Sequence, residues 1–273
     1  MHINSKDNPK IKLYKKLASN KKYRDEQGLF TIEGARNCVD TAYEALCGNI
    51  TIEAVFYTAQ ALEKYKNNLS VDDIFRCVDD DKIFEISQEL ADKMTDEGSS
   101  QGIFMIAKKL DIPFCEDNID KGGKYLVLDG LQDPGNLGTL LRTADAVGVS
   151  GAVMTDNCVD LYNPKVVRSA MGSISRLKIF VVKRFEEAAE LFGKVGILTA
   201  AAVVRDGESI TDFDFSKPCA VVIGNEGKGL PNEHVELCDR KITITMHGNI
   251  ESLNAACAGT IILWEMFRGE SRG

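Results

Sequence analysis

The sequence offers little support for a metal-binding, redox or secreted protein. His2, His234 and His247 are the only histidines in 273 residues, and they are too dispersed to suggest a metal site. The cysteines at 38, 47, 77, 115, 158, 219, 238 and 257 form no C-x-x-C pair, which favours buried free thiols over disulfides or zinc ligands. No metal is expected. No apolar run approaches the roughly 20 residues of a membrane helix, and the polar opening MHINSKDNPKIK has no signal-peptide core. The expectation is a cytoplasmic protein with no membrane attachment. Nucleotide fingerprints are missing too: Lys228 is followed by Gly229 rather than Ser or Thr, and no G-x-G-x-x-G occurs. An ATP or nicotinamide enzyme thereby loses its main sequence support.

Net positive charge is also lacking, since 33 Lys and Arg face 41 Asp and Glu for a formal net charge of −8, and this argues at first against a nucleic-acid partner. The distribution qualifies that. Residues 1–36 hold nine Lys or Arg against four acids. Two readings stay open at this point, a solvated helix face or an arm that contacts phosphates.

What is present fits a folded α/β chain, 44% hydrophobic and 27% charged. Residues 9–22 read as helix, LFTIEG as strand, ARNCVDTAYEALCG as a helix ended by Gly48, and ITIEAVFYT as strand. AQALEKYKNNL reads as helix, IFRCVD as strand, SQELADKMTD as helix and GIFMIAKK as strand. Pro, acids and a Gly-Gly pair in KLDIPFCEDNIDKGGK mark a linker. The expected division is a first domain over residues 1–108, a linker over 109–123 and a second domain over 124–273. In the second, YLVLD, GAVMTD, KIFVV, GILTAAAV, CAVVIG and KITITM alternate with helical segments, which is the pattern of a parallel sheet with crossover helices.

Three of those strands run into unusual loops. YLVLD leads to DPGNLG, where Pro134 and Gly135 turn the chain, Asn136 is positioned to cap a helix, and Leu140, Leu141, Ala144 and Val147 are placed to face a core. That leaves Arg142 without a structural reason, and a guanidinium suits a phosphate or a developing oxyanion. CAVVIG leads to NEGKGLP, whose three glycines let backbone approach a ligand around Asn225 and Glu226. KITITM leads to HGNIESLN, where Ser252 is a plausible N-cap and Asn249, Gly248 and Asn254 crowd one corner. Ligands of open α/β sheets bind beyond the carboxyl ends of strands, so the three loops fit one site.

In this order the stretches resemble the three signature motifs of the SpoU (TrmH) family of RNA ribose 2′-O-methyltransferases, within the SPOUT superfamily. The first is carried by Asp133, Pro134, Gly135, Asn136, Leu137, Gly138 and Arg142, and the second by Gly224, Asn225, Glu226, Gly227, Gly229 and Leu230. Ile244, Met246, Gly248, Ser252, Leu253, Asn254 and Ala255 carry the third, and YNPKVVRSAMGSI resembles the segment that links motifs in the family. The resemblance implies a deep trefoil knot in the C-terminal domain, an exception to the near absence of knots. It also implies bound S-adenosylmethionine, held at Gly224, Asn225, Gly227, Ile244, Met246 and Leu253 with Ala200 and Ala201 nearby, and a homodimer formed through the knot helices. The N-terminal half resembles the L30e-like substrate-binding domain of many SpoU enzymes, and its opening stretch resembles those that methylate ribosomal RNA. This moves the basic arm, represented by Lys10, Lys15, Lys22, Arg24 and Arg36, toward RNA contact. One departure is Thr245, where the third motif commonly has proline.

Methylating a ribose hydroxyl requires alignment and deprotonation of a very weak acid. By the resemblance the catalytic set is Arg142, Asn136, Ser252, Asn254 and Glu226. Arginine is a poor base, so an electrostatic role on the phosphate and nascent alkoxide suits Arg142. Asn136 would position Arg142 and the ribose, Ser252 and Asn254 would orient substrate and loop, and Glu226 would be structural or cofactor-adjacent. The expected function is therefore 2′-O-methylation of RNA, with 23S ribosomal RNA favoured and tRNA the alternative. A non-catalytic RNA-binding protein on the same fold has no need of these five residues together, and a nicotinamide dehydrogenase lacks its fingerprint.

Overall fold

A computed structural model describes residues 1–95 and 99–268. The chain divides into two units, one of residues 1–110 with 162–176, the other of residues 111–161 with 177–273. Tyr162–Arg176, the linking stretch, thus belongs with the N-terminal residues.

The N-terminal unit is built on a five-stranded sheet: β1 (His2–Ile3), β2 (Leu29–Glu33), β3 (Ile52–Tyr57), β4 (Ile83–Ile86) and β5 (Ile103–Lys108). The spatial order is β1-β4-β3-β5-β2, with β4 parallel to β1 and β3, and β5 antiparallel to β3 and β2. The basic stretch forms two helices, Pro9–Ser19 and Lys21–Gln27, broken at Asn20. Asn20 ends the first and caps the second, accepting from Tyr23 N–H at 3.0 Å. Ile11, Tyr14 and Leu17 share one face of the first helix at helical spacing and are buried. Tyr14 meets Phe56 and Phe104 edge-on, with ring centroids 6.0 and 5.4 Å apart.

IFRCVD does not form a strand. Val71–Arg76 is a helix with Asp72 and Asp73 in its first turn, where carboxylates favour the positive helix end. The strand lies later, at Ile83–Ile86, where alternating burial matches its period of two. The helix in SQELADKMTD covers Gln88–Asp92 behind its Ser87 cap, and Asp96 of that stretch lies outside the described residues.

The C-terminal unit carries β6 (Lys124–Leu128), β7 (Gly151–Thr155), β8 (Ile179–Val182), β9 (Leu198–Ala202), β10 (Glu208–Ser209), β11 (Cys219–Ile223) and β12 (Arg240–Thr243). Every pairing among them is parallel, in the order β10-β12-β9-β11-β6-β7-β8. The central strands β6 and β11 are buried along their whole length, as continuous apolar runs in a parallel sheet should be. The chain passes outward through β7 and β8 and then returns to the other side of β6. This reversal creates the crevice at which α/β sheets bind ligands. The two-residue β10 has too little apolar pattern to be read from sequence.

Two helices bracket this edge, Pro134–Val147 after β6 and Ala255–Phe267 near the C-terminus. A side chain at Gly259 would collide with Leu140, so the glycine is what lets the two helices approach. Their surfaces also meet through Thr143 and Thr260, whose hydroxyls lie 3.3 Å apart. Lys124, at the start of β6, is buried and donates to the Met266 carbonyl at 2.7 Å, capping the last helix.

Candidate active site at the carboxyl edge of the parallel sheet

The loops after β6, β11 and β12 meet. In the first, Asp133 is the helix cap, accepting from Asn136 N–H at 2.8 Å, and Pro134 occupies the first turn. Asn136 is therefore not the cap, contrary to the sequence reading. Its side chain is released for other work. The same correction applies to the last helix, where Asn254 rather than Ser252 is the cap, accepting from Ala256 and Cys257 N–H at 2.9 and 3.3 Å.

Side chains from the three loops join the motifs. Glu226 Oε1 accepts from Asp133 N–H at 2.9 Å and from Asn136 Nδ2 at 3.1 Å, while Oε2 accepts from Gln132 N–H at 3.1 Å. Asn136 Oδ1 in turn accepts from Asn254 Nδ2 at 3.0 Å. Asn225 completes the fastening by donating to the Gly130 carbonyl at 2.8 Å, and its Oδ1 accepts from Gly227 and Lys228 N–H at 3.0 and 3.1 Å. Burial pushes the Glu226 carboxyl upward, but the donors from Asp133, Asn136 and Gln132 outweigh it and hold the group below its ordinary value. Such a group is a clip that stays ionised, which counts against a general-base role.

Beside this network lies a cavity of about 280 Å³, near the low end of the roughly 300–1,000 Å³ typical of ligand pockets. All six residues expected to hold the cofactor line it: Gly224, Asn225, Gly227, Ile244, Met246 and Leu253. Ser252 and Glu226 line it as well, whereas Asn136, Asn254 and Arg142 do not. Ala200 and Ala201 are fully buried within β9 and do not reach it; Ala202, Val203 and Val204, at the strand's carboxyl end, do. The wall at Gly224 is backbone against backbone. A Cβ there would stand 2.5 Å from the Gly229 carbonyl carbon and the Leu230 nitrogen.

Arg142 projects from the third turn of its helix, exposed, with no side-chain hydrogen bond or ion pair among the described residues. It stands six residues after Asn136, about 120° away around the helix axis at 3.6 residues per turn. The chain therefore does not bring Arg142 to the Glu226–Asn136–Asn254 network. Thr245, at the position where the third motif commonly has proline, donates to Ser209 Oγ at 3.4 Å, so a side-chain contact to β10 tethers the strand end.

Sequence reasoning missed one pair at this edge. Asp129, the last polar group before the first loop, is buried and its Oδ2 lies 2.6 Å from His234 Nδ1, whose ring stacks on Phe185 with centroids 4.8 Å apart. Thr155 donates to Asp129 Oδ1 at 3.1 Å. The pair fixes the helix Asn232–Leu237, just after NEGKGLP, to the end of β6. An aspartate ending a continuous apolar strand was the available signal.

The expected RNA-contacting cations are placed unequally. Lys10, Lys15 and Lys22 are exposed, and Lys22 lies 3.9 Å from Glu26. Arg36 is exposed and pairs with Asp40 at 3.2 Å. Arg24 corrects the expectation: it is 4% exposed and donates to the Leu17 and Ala18 carbonyls at 2.5 and 3.2 Å. It caps the preceding helix and is not available to a phosphate.

Comparison with known proteins decides the family. The profile of the SpoU rRNA Methylase family matches residues 123–264, and that of the MRM3-like substrate binding domain matches residues 8–105. The chain belongs to the SpoU rRNA methylase family. It is 28% identical over 264 residues to the 23S rRNA (guanosine(2553)-2′-O)-methyltransferase RlmP of Bacillus subtilis, covering 97% of this chain and 98% of that one. It is 41% identical over 143 residues to an uncharacterized tRNA/rRNA methyltransferase of Synechocystis, spanning only 52% of each. Among solved structures, the AdoMet-bound rRNA methyltransferase of Sinorhizobium meliloti superposes with a TM-score of 0.83 at 27% identity, covering 100% of this chain and 99% of that one.

Proposed function

We propose that this SpoU chain transfers a methyl group from S-adenosylmethionine to a ribose 2′-hydroxyl of 23S ribosomal RNA. The observation that carries the reading is the mutual fastening of three loops through Asn225, Glu226, Asn136 and Asn254 beside a cavity lined by all six expected cofactor residues. Match over nearly the full length to a 23S rRNA guanosine 2′-O-methyltransferase favours ribosomal RNA over tRNA.

The cavity suits an adenosyl group. Ile223, Ile242, Ile244, Leu253 and Ile262 give aliphatic walls for a flat purine, and the backbone from Gly224 to Gly229 gives polar groups for its edges and ribose. When bound, the cofactor supplies an electrophilic methyl on a positively charged sulfur, a good leaving group. The protein then has to bring a hydroxyl into line and stabilise its loss of a proton. Glu226 holds the loops in register as an ionised clip. Asn136 and Asn254 orient the substrate side of the cavity, and Ser252 lines it. Arg142 is assigned the RNA phosphate and the nascent alkoxide, as a fixed positive charge rather than a base.

The reading includes the family's trefoil knot in the C-terminal unit and a homodimer. Supporting the dimer, the apolar side chains of Trp264 and Ile261, one turn apart on the last helix, are 66% and 40% exposed. In this reading Arg142, exposed and outside the network, acts in a site that a second copy completes. Residues 1–108, with 162–176 that belong to the same unit, are assigned to RNA binding, 109–123 to the linker and the rest of 124–273 to catalysis.

The test is transfer of labelled methyl to unmodified 23S ribosomal RNA and, separately, to tRNA, with the modified ribose mapped. Label at one 23S position, lost in Arg142→Ala, is the expected result. Label on tRNA alone would keep the chemistry and overturn the substrate; no label with cofactor still bound would favour the binding protein. Sedimentation at working concentration tests the dimer, which a monomer throughout would overturn.

A further inference from the structure

The loop NEGKGLP walls the cofactor cavity, and its front end is fastened where it leaves β11. Asn225 donates to the Gly130 carbonyl, and Glu226 accepts from Gln132 and Asp133 N–H. The tip is braced from within: Gly227 and Lys228 N–H donate to Asn225 Oδ1, and Asn225 and Gly229 exchange backbone hydrogen bonds of 3.1 and 2.9 Å. The chain then enters the helix Asn232–Leu237, six residues long, which starts at Pro231 without a side-chain cap and leaves Leu237 48% exposed. A helix this short has little stability of its own and takes its place from the contacts it makes.

His234 supplies the polar one of those contacts. Its Nδ1 lies 2.6 Å from Asp129 Oδ2, and a carboxylate only accepts, which makes Nδ1 the donor. The ring face stacks on Phe185, at the start of the helix Phe185–Val195, with an interplanar angle of 23°. Asp129 is buried, and its other oxygen accepts from Thr155 at the end of β7. With both oxygens engaged the carboxylate is fixed, and the ring that donates to it is fixed with it. Asp129 directly precedes Gly130, so residues 129–133 receive the loop twice, at its front through Gly130, Gln132 and Asp133 and at its rear through Asp129. The backbone between the two anchors is the part that closes against Gly224 at Gly229 and Leu230.

We propose that His234 and Asp129 are a positioning pair for the methyl donor: they anchor the rear of NEGKGLP to the end of β6 and so hold the Gly227–Leu230 backbone in the conformation that binds S-adenosylmethionine. This deepens the methyltransferase reading and rests on it. Neither residue lines the cavity, so the pair acts through the loop. Its effect falls on affinity: a loop in its competent conformation about a tenth of the time binds about tenfold more weakly, and saturating cofactor restores it.

The experiment measures S-adenosylmethionine affinity of the full chain by calorimetry, beside its melting temperature and its methyl-transfer rate on unmodified 23S rRNA at saturating cofactor. His234→Phe keeps the stack on Phe185 and removes the donor, whereas His234→Asn loses the ring and keeps a nitrogen donor on the same carbon as Nδ1. His234→Phe should raise Kd about tenfold with the saturated rate within about twofold of wild type, and His234→Asn should bring Kd back to within about threefold. An unchanged Kd in His234→Phe overturns the proposal, as does a saturated rate that falls as far as the affinity. Because His234→Phe strands a buried carboxylate and lowers stability, Asp129→Asn combined with His234→Phe is the second variant. The amide is uncharged and keeps an acceptor for Thr155, so the melting temperature should recover while Kd stays about tenfold raised. A merely structural pair would have affinity follow the melting temperature across the variants, and that result overturns the proposal. Where the wild type binds S-adenosylmethionine and methylates RNA, these outcomes judge the pair alone. If the wild type binds no S-adenosylmethionine, the methyltransferase reading and the pair fall together.

Discussion

In the C-terminal unit seven parallel strands send three site loops out of one edge, whereas the five-stranded N-terminal sheet is mixed and covered by the basic helices Pro9–Ser19 and Lys21–Gln27. Parallel strands necessarily align their carboxyl ends, so residues 90 to 118 positions apart arrive together as a matter of topology. A mixed sheet gives no such alignment. There the roles of single side chains, such as the buried Arg24 among exposed lysines, are announced by no pattern in the sequence.

The contrast can be broken most forcefully at Gly224. Any side chain there meets the backbone of Gly229 and Leu230, so Gly224→Val should lower cofactor affinity at least 100-fold by calorimetry, and unaltered binding would contradict the cavity's assignment. Next in size, Arg142→Ala should reduce turnover by about 10²- to 10³-fold while the cofactor's Kd stays within twofold, since Arg142 lies outside the cavity. A parallel loss of cofactor binding would move Arg142 into a different role.

Glu226 sharpens the account through pH. Its folded value is depressed, so the stability it contributes is present above the ordinary carboxylate value of about 4.3 and is lost as pH falls through the lower folded value. Cofactor affinity should therefore be insensitive to this group from neutral pH down to about 5 and weaken below its ordinary range. Glu226→Gln should weaken the affinity several-fold at pH 7 and flatten that acid limb. An unchanged acid limb would remove Glu226 from the clip.

In the N-terminal unit, Arg24→Ala should destabilise by about 1.5–3 kcal/mol, read by denaturant unfolding, because a buried charged donor leaves two carbonyls. It should not change the salt dependence of RNA binding. The smallest effect belongs to Lys10→Ala and Lys15→Ala, each exposed and expected to reduce the salt slope by about one with no change in melting temperature. If Arg24→Ala alone changed the slope, the division between structural and contacting cations would fall.

The sequence carried most of the C-terminal site because its signals are local. DPGNLG, NEGKGLP and the helix after HGNIESLN each announce a strand end and a turn, and the six residues expected to hold the cofactor all line one cavity. What sequence could not supply was the assignment of individual caps. Asn136 and Ser252 are both good N-cap types, yet Asp133 and Asn254 hold those positions, and the network depends on this difference. The Asp129–His234 pair escaped because it joins residues 105 positions apart. Arg24 was misread because a basic run has no period that distinguishes a buried arginine from an exposed one, and IFRCVD because a short apolar run suits either helix or strand.

The most direct measurement of the central claim is methyl transfer to unmodified 23S ribosomal RNA by the wild type and by Arg142→Ala, with cofactor binding followed in both. The account predicts label on a single ribose 2′-oxygen with the wild type, a loss of at least 100-fold in the variant, and equal cofactor affinity. Cofactor binding without transfer to ribosomal RNA, or transfer undiminished in the variant, would contradict it.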